Sequence, residues 1–287
     1  MQGSSRLGDI VAQVADTLRQ PLGADARREA ETLVLAALGL GRGALIAAPE
    51  RPVSPAEAER VADWTVRRAD GVPLAYLTGE REFWSLALRV DPAVLVPRPE
   101  TELLVERALA RGDEWRAATG TCPAVVDLGT GSGAIALALA SERPEWPITA
   151  IDRSAAALAV ARDNARRLGF DRIEWLEGDW LAPLGARRVA LLVSNPPYVA
   201  ADDPALQGDS LRHEPRTALT PGRDALADLH ALIDAAPGHL LQGGRLLLEH
   251  GATQGAAVRA RLAAQGYADI VSHADPAGHE RVTEGRR

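Results

Sequence analysis

The chain has 287 residues, 46% hydrophobic and 25% charged, enough for two domains or for one large core with an accessory unit. A formal net charge of −7 argues against a protein that grips nucleic acid through bulk electrostatics. All 32 basic residues are arginine, which excludes a phosphate-binding loop ending in Gly-Lys-Ser/Thr, Schiff-base chemistry and a Ser-Lys dyad. Cys122 is the single cysteine, so an internal disulfide and a multi-cysteine metal site are excluded.

The N-terminal stretch MQGSSRLGDI has neither a basic n-region nor an apolar h-region. No apolar run approaches the ~20 residues that cross a bilayer. A cytoplasmic protein is expected.

Up to about Thr78 the pattern is helical, and residues 1–78 read as a small helical bundle without a catalytic constellation of its own. Ala24 to Leu40 carries apolar residues at helical spacing, with Gly39 and Gly41 suited to a C-cap. Ser54-Pro55-Ala56-Glu57 combines an N-cap serine, a proline at the first helical position and a glutamate at the third. The helix it opens is expected to run to about Ala69. From Arg81 to Val96 the pattern turns strand-like: EFWSLALRV, a turn at Asp91-Pro92, then AVLV, a hairpin linker within 79–96. Helical patterning resumes at Thr101.

From Ala124 strands and helices alternate. Candidate strands are 124–129, 146–152, 172–178, 189–195 and 244–251, with 267–273 and 280–286 closing the chain. Helical patterns separate the first five, which predicts a doubly wound, mostly parallel sheet in residues 97–287. The last two are expected to pair as an antiparallel hairpin.

Asp127-Leu128-Gly129-Thr130-Gly131-Ser132-Gly133-Ala134 falls between the first of these strands and its helix. Glycines there allow a tight turn and let the backbone approach a ligand at the helix N-terminus. Asp152 ends the next strand, 23 residues after Gly129, where a carboxylate can accept from both hydroxyls of a ribose. Asp179-Trp180 ends the third, where an acid and an aromatic can flank a base. The glycine loop by itself suits a nicotinamide dinucleotide and S-adenosylmethionine almost equally.

Ser194-Asn195-Pro196-Pro197-Tyr198-Val199 ends the fourth strand, where open α/β sheets place their reactive crevice. Two prolines fix their own φ angles and bring no N–H donors. They hold the Asn195 carbonyl oxygen and the Pro196 main-chain oxygen in set directions, and two acceptors suit a planar NH₂ group. Tyr198 offers an aromatic face. Methyl transfer from a sulfonium fits such a slot, because alignment alone can supply ~7–11 kcal/mol of barrier reduction. A hydride-transfer enzyme has no use for it.

DLGTGSGAIALALASERP, VSNPPY, PLAYLTGEREFWSL and LVPRPETELLVE together resemble the bacterial peptide chain release factor glutamine methyltransferases, over almost the whole chain. Asn-Pro-Pro-Tyr by itself is shared with amino-methyltransferases of DNA adenine and ribosomal RNA guanine. The resemblance implies an α/β fold with a doubly wound seven-stranded, mostly parallel, Rossmann-like sheet, preceded by a helical domain that binds the release factor and by the hairpin linker. It implies S-adenosylmethionine held by Gly129, Thr130, Gly131, Ser132, Gly133, Asp152 and Trp180, with Asn195 bridging cofactor and substrate. Asn195, Pro196, Pro197 and Tyr198 would hold the glutamine amide of a Gly-Gly-Gln loop in class I release factors, with Asn195, Pro196 and Tyr198 catalytic. The partners implied are those release factors, with no membrane, no direct nucleic acid and a monomeric enzyme. Rival readings are a nucleic-acid amino-methyltransferase, a dehydrogenase and a release-factor-binding module without turnover.

Other residues carry less. Arg98 is a candidate to face a cofactor carboxylate, and Glu100 or Glu102 to cap the following helix. Arg212-His213-Glu214-Pro215 falls where a substrate-covering loop would suit. The six histidines, at 213, 230, 239, 250, 273 and 279, show no zinc-ligand spacing, and no metal is expected. His250, beside Glu249, reads as structural.

Overall fold

A computed structural model describes residues 6–208 and 211–287. The chain divides into two compact units: residues up to Glu80 together with Gln207–His213, and Arg81–Leu206 together with Glu214–Arg287.

The first unit is helical: α1 (Leu7–Leu22), α2 (Ala26–Leu38), the short α3 (Ala44–Ala47), α4 (Pro55–Ala69) and α5 (Leu74–Thr78). Apolar residues at helical spacing put Leu7, Val11, Val14 and Leu18 of α1 against Ala30, Leu33, Val34 and Ala37 of α2 and Val61 of α4. The expected capping box is present at Ser54 and Glu57, so α4 begins where its sequence says it must. Within this unit, Arg212 bonds both the carbonyl and the carboxylate of Asp70, and His213 Nε2 lies 2.9 Å from the same carbonyl.

At the start of the second unit stands a hairpin, β1 (Glu80–Phe83), whose first residue closes the first unit, and β2 (Leu86–Arg89). Its turn is Trp84-Ser85, with φ of 52° and 60°, and not Asp91-Pro92 as expected from sequence; residues 93–96 form no strand. Two consecutive left-handed residues match the twist of a two-residue hairpin. The conformation is unusual for a tryptophan, and tertiary bonds hold it: the Trp84 backbone N–H donates to Glu102 Oε1 at 3.0 Å and its indole N–H to Glu142 Oε1 at 2.9 Å.

Then follow α6 (Glu102–Thr119), β3 (Val125–Leu128), α7 (Ala134–Glu142), β4 (Ile148–Asp152), α8 (Ala155–Leu168), β5 (Glu174–Glu177), β6 (Val189–Ser194), the short α9 (Arg216–Leu219), α10 (Ala227–Ala235), β7 (Leu240–Glu249), α11 (Gly255–Ala264), β8 (Ala268–Ala274) and β9 (Glu280–Arg286). The seven-stranded sheet runs β5-β4-β3-β6-β7-β9-β8, parallel except for β9, which is antiparallel to both β7 and β8. Alternate residues feed two cores. Val125, Leu191, Val193 and Leu247 face α6 and α7, while Val126, Leu128, Leu192, Leu246 and Leu248 face α10 and α11. The strand β7 begins four residues before the expected start at Gly244. A Cβ at Gly244 would meet the Ala190 carbonyl oxygen at 2.8 Å, so the glycine marks a close backbone approach inside the strand.

The strand order reverses between β3 and β6: β4 follows β3 on one side, and β6 lies on the other. The crevice at the carboxyl ends of these two strands is where such sheets bind ligands.

Candidate active site

The glycine loop follows β3 directly. Gly129, Gly131 and Gly133 have φ of 73°, 54° and 85°, the left-handed region that other residues enter only at a cost. Added Cβ atoms would have different consequences. At Gly133 one would press on Leu137, Ala161 and Trp175 at 3.1–3.4 Å, so this glycine seats α7 on its neighbours. At Gly131 a Cβ would meet nothing within 4 Å, and that residue lines an open cleft.

The loop is pinned from behind. The backbone N–H groups of Gly129 and Thr130 both donate to the Ile151 carbonyl, at 2.9 and 3.0 Å. Asn164, fully buried on α8, donates from Nδ2 to the Ser132 and Arg89 carbonyls at 3.0 Å each, and accepts the Arg89 N–H at 2.7 Å. Its amide thus ties α8, the linker hairpin and the glycine loop together. Asp127, fully buried, accepts from the Thr130 hydroxyl at 2.6 Å and the Ala136 N–H at 3.2 Å through Oδ2, while Oδ1 has no hydrogen-bond partner. Burial pushes its pKa up to about 7, against the lowering effect of those two bonds.

Around the cleft stand Gly129, Gly131, Asp152, Trp180, Asn195 and Pro197, with Leu95 and Ser154 among their neighbours. Thr130, Ser132, Gly133, Pro196 and Tyr198 lie outside that lining, the first three serving the loop from behind. Asp152 accepts the Gly131 N–H on one carboxylate oxygen and the Ser154 N–H on the other, each at 2.9 Å. Each oxygen keeps a lone pair for a further donor. Trp180 has a φ of 44°, and its ring lies over Gly129, where an added Cβ would sit 3.3 Å away.

The Asn-Pro-Pro-Tyr turn leaves β6 at the crevice. Ser194 Oγ donates to the Leu128 carbonyl at 2.7 Å, which fixes the end of β6 against the end of β3. Asn195 Nδ2 donates to Thr101 Oγ1 at 3.2 Å, so its side-chain oxygen Oδ1 is not the atom used to hold it. Pro196 and Pro197 are both buried. The Tyr198 carbonyl accepts from Gln254 Nε2 at 3.0 Å, and the Tyr198 hydroxyl lies 3.4 Å from Glu249 Oε1.

Two surrounding expectations resolve differently. Arg98 is bound by Glu214, whose side chain is fully buried and also accepts the Val96 N–H at 2.9 Å, so Arg98 faces a protein carboxylate. Glu102 accepts the Trp84 N–H rather than capping its own helix. The 212–215 segment is anchored through Arg212, His213 and Glu214. His250 is structural: Nδ1 lies 2.9 Å from the Gly251 carbonyl and Nε2 2.7 Å from Thr283 Oγ1. Sequence reasoning passed over Thr101, Asn164 and Glu249 as site residues. Glu249 alone left a signal, an acid ending the apolar run LLLE at a strand's carboxyl end.

No group of three or more His, Cys, Asp or Glu side chains among the described residues could hold a metal ion. Nor is any of their helices long and apolar enough to cross a membrane.

A seven-stranded sheet of this order, with a glycine loop after its first strand and Asn-Pro-Pro-Tyr after its fourth, defines a methyltransferase of the Rossmann-like class. Residues 101–222 match the methyltransferase small domain, and residues 9–79 the PrmC N-terminal domain. The fold is shared with a methyltransferase from Pyrococcus furiosus (TM-score 0.53, 16% identity, 78% of this chain and 98% of that one). It is also shared with the 16S rRNA N2 G1207 methyltransferase of T. thermophilus (TM-score 0.51, 17% identity, 72% and 49%). The chain is 48% identical to the release factor glutamine methyltransferases of Salmonella typhimurium (260 residues) and Pseudomonas aeruginosa (261 residues), over 91% of this chain and 92% of each relative. To that of Burkholderia pseudomallei it is 46% identical over 96% of both. The chain belongs to the release factor glutamine methyltransferase family.

Proposed function

We propose that this chain transfers a methyl group from S-adenosylmethionine to the side-chain amide nitrogen of the glutamine in the Gly-Gly-Gln loop of class I release factors. The observation that carries the reading is Asn195. Its amide is held from behind by Thr101, beside the glycine-loop cleft, at the carboxyl end of β6.

The residues fit the cofactor. Gly131 leaves backbone open to the cleft, Asp152 retains acceptor capacity beside it, Trp180 supplies an aromatic wall, and Asp127 keeps one buried carboxylate oxygen without a partner beneath the loop. Gly129 to Gly133, Asp152 and Trp180 would hold it, with Asn195 between cofactor and substrate. When bound, S-adenosylmethionine supplies an electrophilic methyl carbon on a sulfonium.

The protein's task is then alignment. Asn195 Oδ1 and the Pro196 carbonyl each accept one proton of the substrate NH₂, which orients its nitrogen toward the cleft. Those two bonds strengthen as the nitrogen becomes more positive, so they favour the transition state over the ground state. Tyr198 packs its ring on the planar amide, and Pro197 keeps the turn rigid. The helical domain, residues 1–78, would bind the release factor. Cytoplasmic location and a monomeric state accompany this reading.

Asn195→Ala is expected to keep cofactor affinity within about tenfold while methyl transfer falls by at least a hundredfold, the scale of removing one transition-state acceptor. Incubation with labelled cofactor, each release factor and a variant with its loop glutamine changed to alanine tests the substrate. Label on the alanine variant or on RNA would overturn it.

A further inference from the structure

Two stretches that the reading above does not use, Pro97-Arg98-Pro99 and the Glu214-Pro215 pair, come together beside the cofactor cleft. Just before the first, Ala93, Val94 and Leu95 line that cleft. Just after Glu214, Pro215, Thr217 and Ala218 line it too.

Neither wall is held in a sheet. Residues 93–96 form no strand, and α9 has only four residues. Buried backbone N–H groups outside regular structure still need partners. The Ala93 N–H donates to Asp91 Oδ1 at 2.8 Å and the Val94 N–H to the Asp91 carbonyl at 3.1 Å. The Val96 N–H instead donates at 2.9 Å to Oε2 of Glu214, 118 positions away. Arg98 donates to the other oxygen, Oε1. Val96 and Arg98 thus occupy both oxygens of a carboxylate whose side chain is 0% exposed.

The far end of α9 is fastened as well. The Leu219 carbonyl accepts the N–H of Val199, the residue after Tyr198, at 3.0 Å. The Thr217 carbonyl accepts from Arg153 at 3.2 Å. Residues 214–219 therefore run from a buried carboxylate that grips Val96 and Arg98 to the end of the Asn-Pro-Pro-Tyr turn. A buried ion pair adds little net stability over an apolar pair of the same shape. Its distinctive product is a fixed distance and direction between the segments it joins, and here both segments continue into walls of one cleft.

We propose that Glu214 is a positioning residue. By holding Val96 and Arg98 on its two oxygens, it sets the walls 93–95 and 215–218 at the spacing that S-adenosylmethionine requires. The proposal rests on the reading that this cleft takes that cofactor. It places the effect of Glu214 on cofactor affinity, through its clasp on Arg98, and leaves recognition of the release factor untouched.

The test measures dissociation constants for S-adenosylmethionine and S-adenosylhomocysteine by calorimetry, with KM for a Gly-Gly-Gln release factor and melting temperature alongside. Glu214→Gln keeps an acceptor for the Val96 N–H, but its NH₂ group then faces the Arg98 guanidinium, donor against donor. It should weaken both ligands by about tenfold, the scale of one charged hydrogen bond, while KM for the release factor stays as in the wild type. Arg98→Gln should weaken them comparably, and Arg98→Lys, which restores a positive charge beside Glu214, should recover most of the loss. The double variant Glu214→Gln/Arg98→Gln should bind no more weakly than either single variant, because both remove the same interaction. A purely structural role would instead lower the melting temperature and the fraction of protein that binds, and leave the affinity of that fraction unchanged. Should Glu214→Gln not fold, the two Arg98 variants decide, since that side chain is 33% exposed. Wild-type cofactor affinity in Glu214→Gln or Arg98→Gln, or losses that add in the double variant, overturns the proposal. If the wild type binds both ligands and the variants bind them equally well, the clasp fails and the cofactor reading stands. If the wild type binds neither ligand, the cofactor reading fails first.

Discussion

Asp127 and Glu249 are buried carboxylates beside the glycine loop and the Asn-Pro-Pro-Tyr turn, each with one oxygen that has no hydrogen-bond partner. Asp127 lies under the glycine loop with a pKa moved from 3.8 to about 7 by burial. The folded protein therefore holds a proton that the unfolded chain releases between those two values. Its contribution to stability falls as pH rises through that window and stays low above it. Asp127→Asn should accordingly raise the apo protein's stability at pH 8 by on the order of 2–4 kcal/mol and leave it nearly unchanged at pH 4. Thermal melts at the two pH values check this; equal shifts at both would show that ionisation is not the cause. Neither the exposure nor the charge state of these acids is legible in the motif. Asp127 reads as the lead residue of DLGTGSG, and Glu249 as the end of an apolar run.

At the scale of elements, the linker hairpin shows where local rules mislead. Asp91-Pro92 carries ordinary turn chemistry, whereas Trp84-Ser85 carries none, yet the chain reverses at Trp84-Ser85. The reason is tertiary: Glu102 and Glu142 accept both N–H groups of Trp84, and Phe83 and Leu88 are buried in the sheet's core. A serine at φ 60° still bears the penalty of a side chain in left-handed backbone. Ser85→Gly should stabilise the protein by about 0.5–1 kcal/mol after the glycine's extra unfolded-state entropy is counted, a rise of roughly 2 °C in melting temperature. A lower melting temperature would mean that the Ser85 side chain contributes packing. By contrast α4 is legible to the residue, since Ser54, Pro55 and Glu57 act within one turn and depend on nothing distant. Similarly, the antiparallel β8–β9 pair follows from two strands close in sequence, but not the placement of β9 between β7 and β8.

Across the whole molecule, the acidic balance bears on the partner. A net charge of −7 argues against a broad counterion-releasing surface. Fluorescence anisotropy with labelled ribosomal RNA or duplex DNA at ~50 mM salt should show no binding below about 10 μM. Tight, salt-sensitive binding would favour a nucleic-acid substrate. What the sequence by itself determined is the helical first unit, the alternation of strands and helices, the glycine loop and the rigid Asn-Pro-Pro-Tyr turn, together with the family they point to. Each of those is written in spacings of a few residues, where φ restriction, capping and hydrophobic periodicity operate. Only the tertiary structure decided which side of Asn195 is held from behind, that Arg98 is bound by Glu214, and that Asn164 ties the glycine loop to the hairpin. It also decided that Asn195 and Thr101, 94 positions apart, meet behind the slot. Such contacts join positions scores of residues apart, and their energies depend on burial and on the direction of each hydrogen bond, which no local pattern of residues records.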